Sequence, residues 1–226
     1  MNTDSWKDLF AAAMQQIKQS GLSPSMWTFG GGTVLMHKFN HRFIKDIDIF
    51  FSDKQLLGYV SPRTHDVLED RVIKYIEQDN FTKIYLKEGE IDFILSPRIS
   101  RCKPVQAVIE GEKIFLDHPV EIIAKKIEHR ASEFKARDVF DLAIVYSQMK
   151  TTILENLDIS KEKLICLKNR VCDLHESNIL ESQLQEIGRL PTGEIIRGTE
   201  FELFKNFVCA MEQQIAAKQT CIGFER

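Results

Sequence analysis

Apolar residues recur at two spacings along the chain, changing between them repeatedly before residue 119 and keeping to one after it. From Trp6 to Ser20, Leu9, Phe10, Ala13 and Ile17 share one side of a 3.6-residue period, and Gly21 is placed to stop the helix. Trp27 to Phe29 predicts a short strand running into Gly30-Gly31-Gly32-Thr33 and a short helix over Val34 to Phe39. Lys45 to Phe51 has period two, with Ile47, Ile49 and Phe51 alternating against Asp46 and Asp48. The spacing of Leu68, Val72, Tyr75 and Ile76 predicts a helix over Thr64 to Gln78. Two more strands, Phe81 to Lys87 and Glu90 to Leu95, meet at a turn through Lys87-Glu88-Gly89-Glu90, and Val105 to Ile109 faces Lys113 to Leu116 across Glu110-Gly111-Glu112. Beyond Pro119 the pattern is helical. Leu164, Leu167, Val171 and Leu174 make one core stripe, and Phe201, Phe204, Val208, Met211 and Ile215 another. The expected class is α+β: a mixed or antiparallel sheet of about five strands flanked by helices in residues 1–118, then a helical C-terminal part in 119–226, with the boundary near Asp117 to Pro119.

Composition narrows this only a little. The 226 residues are 43% hydrophobic and 28% charged, as in soluble globular proteins. The net charge of −3 resides in residues 151–226, which carry 9 basic and 12 acidic side chains against 21 of each in the first 150. Neither part is basic enough for a broad nonspecific nucleic-acid surface. No apolar run reaches membrane-spanning length, and Met1 to Ser20 has no basic start followed by a hydrophobic stretch, so no membrane association or secretion is expected. Five Cys at irregular spacings, with no CxxC pair, suit neither a disulfide framework nor a structural zinc site, and point to a reducing, cytoplasmic compartment.

The candidate chemistry begins with Asp46-Ile47-Asp48. Carboxylates at i and i+2 of a strand point to the same side, roughly 7 Å apart, a spacing that suits oxygen ligands converging on divalent cations. In Glu90 to Leu95, Ile91, Phe93 and Leu95 share one face while Glu90 and Asp92 share the other. If the two strands pair, Asp46, Asp48 and Asp92 converge, and such a set repels itself unless it binds metal. Two Mg²⁺ ions held by shared carboxylates is the usual arrangement for nucleotidyl transfer. Gly31-Gly32-Thr33, opening a helix, offers backbone N–H groups and a hydroxyl to phosphate oxygens, but matches neither GxGxxG nor a P-loop. Taken singly, each feature has a plainer reading: a solvated strand face, an acidic hairpin tip and a tight turn.

Together, Gly31-Gly32-Thr33, His41-Arg42 and Asp46-Ile47-Asp48 resemble the first motif of the polymerase-beta-like nucleotidyltransferase superfamily, with the His-Arg pair similar to its AbiEii/AbiGii toxin branch. Pro119 to Ile127 and Lys135-Ala136-Arg137-Asp138-Val139-Phe140-Asp141-Leu142 look like that branch's Lys-bearing helix and its RD-x-x-DL helix. The resemblance spans roughly residues 29–145. It implies a polymerase-beta-like nucleotidyltransferase mixed sheet, with Asp46, Asp48 and Asp92 as metal ligands, Lys126 (or its neighbour Lys125) meeting the triphosphate, and Asp138 (or Asp141) as the last motif acid. Gly31, Gly32, Thr33 and Arg42 would join Lys126 in nucleotide binding. It further implies Mg²⁺ in a two-ion site, an NTP substrate, an RNA, tRNA or protein acceptor, and an antitoxin partner. One departure is Ile44, where family members carry Ser or Thr; Lys45 stands beside it.

Apart from the resemblance, Lys126, His129 and Arg130 make a cationic helix face and Asp138 with Asp141 an acidic one, readable as solvated faces with an Arg137–Asp141 surface pair worth at most about 0.5 kcal/mol. His37, Lys38, His41, Arg42 and Lys45 form a basic cluster suited to phosphate charge or to capping a helix end. His65, His118, His129 and His175 are scattered and are assigned no metal. Two alternatives to a toxin that transfers NMP stay open: a noncatalytic nucleotide- or partner-binding member of the fold, and a small-molecule enzyme of the antibiotic nucleotidyltransferase kind.

Overall fold

The computed structural model describes residues 5–64, 68 and 70–223. In chain order it holds α1 (Ser5–Gln19), β1 (Trp27–Gly30), α2 (Gly31–Phe39), β2 (Ile47–Phe51), β3 (Val72–Gln78), β4 (Phe81–Leu86), β5 (Glu90–Leu95), β6 (Val105–Ile109) and β7 (Glu112–Leu116). The helices α3 (Pro119–Arg130), α4 (Ala136–Asn156), α5 (Lys161–Glu176), α6 (Ile179–Glu186), α7 (Pro191–Ile195) and α8 (Glu200–Gly223) follow. The chain divides into two units: Met1–Lys38, Phe43–Arg98 and Lys103–His118 form the first, and Phe39–Arg42, Ile99–Cys102 and Pro119–Arg226 the second.

In the first unit the strands form one mixed sheet in the order β3-β4-β5-β2-β1-β7-β6. β2 pairs with β5 in parallel and with β1 antiparallel, so the two acidic strands lie side by side in the middle of the sheet. Ile47, Ile49, Phe51, Ile91 and Phe93 are fully buried, and α1 covers β2 and β5 with Leu9, Phe10, Ala13 and Ile17. Burial of that apolar set sets the register, because a one-residue slip would turn every Asp inward. The hairpin between β6 and β7 turns through Glu110 and Gly111, both at positive φ (47° and 84°).

The sheet has seven strands rather than about five, partly because the helix expected over Thr64 to Gln78 does not form. Val72–Gln78 is an edge strand paired antiparallel with β4, while residues 65–67 and 69, including His65, lie outside the described residues. Its residues are largely β-branched or aromatic, and Ile73 is 63% exposed. The apparent helical spacing had no buried stripe to serve, and the β4 ladder supplies the backbone partners instead. α2 also starts earlier than expected, at Gly31.

The second unit is helical. α8 packs on α4 and α5, and α3 on α4. Leu164, Leu167, Val171 and Leu174 of α5 are buried, as are Phe204, Phe207, Val208 and Met211 of α8, with Phe201 and Ile215 half-buried. Two short segments are tied into this unit by backbone groups. Leu190 N donates to His41 O (2.9 Å) and Thr192 N to Asn40 O (3.2 Å), while the Ile99 and Ser100 N–H groups donate to the buried Glu121 carboxylate (2.9 and 2.7 Å). Among the described residues no helix is long and apolar enough to cross a membrane.

Candidate active site

The β2–β5 register makes Asp48 and Asp92 direct neighbours: Ile47 pairs with Ile91, Asp48 with Asp92 and Ile49 with Phe93. Strand alternation sends the two carboxylates to the face opposite the buried Ile and Phe side chains. On the other side of β2, Gly30 is the partner of Asp48, and the chain turns at once into α2. Gly31 sits at φ +67°, and a Cβ there would overlap the Asp48 carboxylate, so glycine is required twice over. Thr33 is fully buried, and its hydroxyl donates to Asp46 O at 2.5 Å. The hydroxyl expected to meet phosphate thus holds the backbone at the start of β2. Asp46 itself is half-buried just ahead of β2, with its Oδ1 beside Gly89 of the β4–β5 turn.

On β4, Lys83 is the Cα partner of Asp92. Its ammonium donates to Glu90 Oε2 at 2.7 Å and lies 2.9 Å from Asp92 Oδ2. The other oxygen, Asp92 Oδ1, is buried and accepts no hydrogen bond. Burial, then the charge of Asp48, push the Asp92 carboxyl up to about 6 despite the pull of Lys83. Burial would lower the Lys83 ammonium, but its bonds to Glu90 and Asp92 outweigh that and raise it.

An unpartnered, buried carboxylate oxygen next to a second carboxylate is an all-oxygen donor set of the kind hard divalent cations take, so these residues fit Mg²⁺. The fit is narrower than the sequence suggested. Asp48 and Asp92 are brought together, but among the described residues no group of three or more His, Cys, Asp or Glu is assembled to hold a metal.

The remaining predicted residues meet each other in the second unit. Asp141, fully buried, accepts from His41 Nε2 (2.8 Å), Arg42 Nε (2.6 Å), Arg42 Nη2 (2.8 Å) and Lys126 Nζ (2.8 Å). Lys126 also donates to Asp138 Oδ1 at 2.6 Å and is only 6% exposed. Asp138 sits in the first turn of α4, its side chain accepting from Lys135 N (3.3 Å). The expectation of solvated faces and an Arg137–Asp141 surface pair is therefore corrected: Asp138 and Asp141 are buried counter-ions. Asp141 also engages His41 and Arg42, the pair expected to offer charge to phosphate. Lys125 approaches Glu121 at 3.9 Å.

Burial would raise the Asp141 carboxyl, but Arg42 and Lys126 hold it well below the ordinary range. Asp138 is lowered too, burial again being outweighed, here by Lys126 and Arg130. For His41 burial dominates over the Asp141 contact and lowers the imidazole, so the neutral ring donates Nε2–H to Asp141 while Nδ1 is buried without a partner.

Sequence reasoning passed over four residues. Arg189 forms an isolated bridge with Arg42, stacks over Phe140 at 4.8 Å and pairs with Glu200 at 2.5 Å. Gly193 lies so close to His41 O that a Cβ would overlap it. Asp117, buried, would stand 2.6 Å from a Cβ on Gly30. Lys83 faces Asp92. Only Lys83 left a local signal, a charge in the alternation of β4.

The profile of a family described as nucleotidyl transferase AbiEii toxin, Type IV TA system, matches residues 12–170, well over half of the chain. No curated protein matches. Among solved structures, JHP933 from Helicobacter pylori is 18% identical with a TM-score of 0.45, the alignment covering 99% of this chain and 98% of that one. The antibiotic-resistance factor ANT(2'')-Ia is 15% identical with a TM-score of 0.46, covering 82% and 100%. MenT4, a nucleotidyltransferase toxin from Mycobacterium tuberculosis H37Rv, is 17% identical with a TM-score of 0.36, covering 61% and 59%.

Proposed function

The chain belongs to the AbiEii nucleotidyltransferase toxin family, and on that premise we propose that it transfers a nucleoside monophosphate from an NTP to a hydroxyl of an RNA, such as a tRNA, or of a protein, as the toxin opposed by an antitoxin. The observation that carries this reading is the neighbouring register of Asp48 and Asp92 over the Gly31 turn, with Asp92 Oδ1 buried and unpartnered. Asp48 and Asp92, with Asp46 alongside, would hold Mg²⁺, which when bound supplies positive charge against the triphosphate.

The chain's own residues do the rest. The Gly30–Gly31 turn yields its Cβ space to Asp117 and Asp48, and the first N–H groups of α2, which have no partner within the helix, would face the phosphate oxygens. Thr33, through Asp46 O, keeps the acidic strand in place against that turn. The acceptor oxygen bonds to the α-phosphorus as the bond to the bridging oxygen of the β-phosphate breaks, releasing pyrophosphate, and the hydroxyl proton passes to Asp92. Lys126, Asp138 and Arg42 hold one another's charges through Asp141 within the second unit.

The test is incubation of the protein with each labelled NTP, Mg²⁺, cellular RNA and protein extract, beside an Asp46→Ala/Asp48→Ala control. Label entering RNA or protein only with the aspartates intact supports the function and names the acceptor class. Equal labelling by the control refutes it.

A further inference from the structure

One charge on the acidic face belongs to none of the sequence motifs. Asp92 has a register neighbour on each side, Asp48 on β2 and Lys83 on β4. Thr82, Ile84 and Leu86 are buried on one face of β4, so Lys83 is turned to the face that carries Asp92. There its side chain is a quarter exposed and its ammonium bridges Glu90 Oε2 and Asp92 Oδ2, while Asp92 Oδ1 takes no hydrogen bond. An ordinary cross-strand pair would neutralise a solvated carboxylate. This one neutralises half of a carboxylate that stands beside Asp48 and leaves the other oxygen bare.

We propose that Lys83 is a resident counter-cation at this site, which holds Asp92 in the metal-free protein and competes with the divalent cation for it. The inference rests on the metal-binding reading of Asp48 and Asp92. A cation arriving at Asp92 Oδ1 is offered one oxygen rather than two, and it meets the Lys83 charge across the width of a carboxylate. Both effects weaken binding to the protein alone. Nucleotide phosphates, which add oxygen ligands and negative charge, offset the repulsion, so cation uptake is tied to nucleotide uptake. Lys83 is thus a positioning residue for Asp92 and sets when the site fills.

The experiment is titration of the nucleotide-free protein with Mn²⁺, reading free Mn²⁺ by electron paramagnetic resonance. Lys83→Met and Lys83→Gln are each expected to bind Mn²⁺ about tenfold more tightly than the wild type, and Lys83→Arg to bind it as the wild type does. Adding Asp92→Asn should cancel the tightening. Lys83→Gln retains a neutral donor to Asp92 and serves where Met disturbs the fold, which circular dichroism reports. If both neutral variants bind no more tightly than the wild type while Asp48→Ala and Asp92→Asn abolish binding, the role of Lys83 is overturned and the metal site stands. If Asp48→Ala and Asp92→Asn leave Mn²⁺ binding unchanged, or neither the wild type nor the neutral Lys83 variants bind Mn²⁺, the metal site fails and the role of Lys83 with it.

Discussion

Replacing Asp141 with Ala removes both carboxylate oxygens that Arg42 uses, one of the two that hold Lys126, and the acceptor of His41. Before the change the buried set is balanced, with Asp138 and Asp141 against Arg42 and Lys126 and a neutral His41. Afterwards it carries an excess positive charge around a position that is fully buried. Breaking a buried ion pair from one side costs about 3–5 kcal/mol, because the charge left behind has lost its solvent as well as its partner. For a chain of this length each kcal/mol lowers the melting temperature by about 2–4 °C, so Asp141→Ala is expected to melt about 6–20 °C lower. Calorimetry measures the shift, and a urea titration shows through the slope whether the unfolded reference has changed. An apolar double replacement, Arg42→Leu/Asp141→Leu, should recover much of the loss, since it removes the charge and its partner together. A shift below about 2 °C for Asp141→Ala would refute the account of a desolvated, mutually dependent cluster.

Acidification is expected to destabilise the protein. His41 is lowered in the fold by burial, so the unfolded chain binds its proton first and stability falls as pH drops below about 6.5, the ordinary value of a free imidazole; the lowered Asp141 and Asp138 continue the loss at lower pH. Melting scans from pH 7.5 to 4.5 check this, with His41→Gln flattening the upper part of the profile, and rising stability on acidification contradicts it. Gly193→Ala should cost about 1–3 kcal/mol by forcing a methyl against His41 O and Phe140; an unchanged urea midpoint would show that 189–193 does not pack there. Gly31→Ala should cut nucleotidyl transfer on the order of a hundredfold by displacing Asp48, with wild-type turnover counting against the proposed site.

Much of the local structure was legible in the chain. The period-two pattern of Ile47, Ile49 and Phe51 against Asp46 and Asp48, and its echo in Glu90 to Leu95, located two half-buried strands and the faces their carboxylates take. The 3.6-residue stripes of α1, α5 and α8 were equally plain. Such patterns are written in residues a few positions apart, and burial of one face enforces them whatever the rest of the chain does. Val72–Gln78 misled for the same reason: at a sheet edge little of it is buried, so its apolar spacing recorded no packing, and only the ladder with β4 made it a strand.

The tertiary structure decided which charges meet. That Asp48 neighbours Asp92 follows from a parallel pairing across 44 residues of chain, and that Asp141 receives Arg42 from a contact across 99. Nothing near Asp141 in the sequence distinguishes a surface carboxylate from a buried counter-ion, because the difference lies in partners the helix itself does not contain. Lys83 carries the same lesson on the sheet: its charge shows in the sequence, but its place on Asp92 exists only once β4 and β5 are in register. Periodicity is a property of neighbours along the chain, whereas electrostatic partnership is a property of neighbours in space, and only folding converts one into the other.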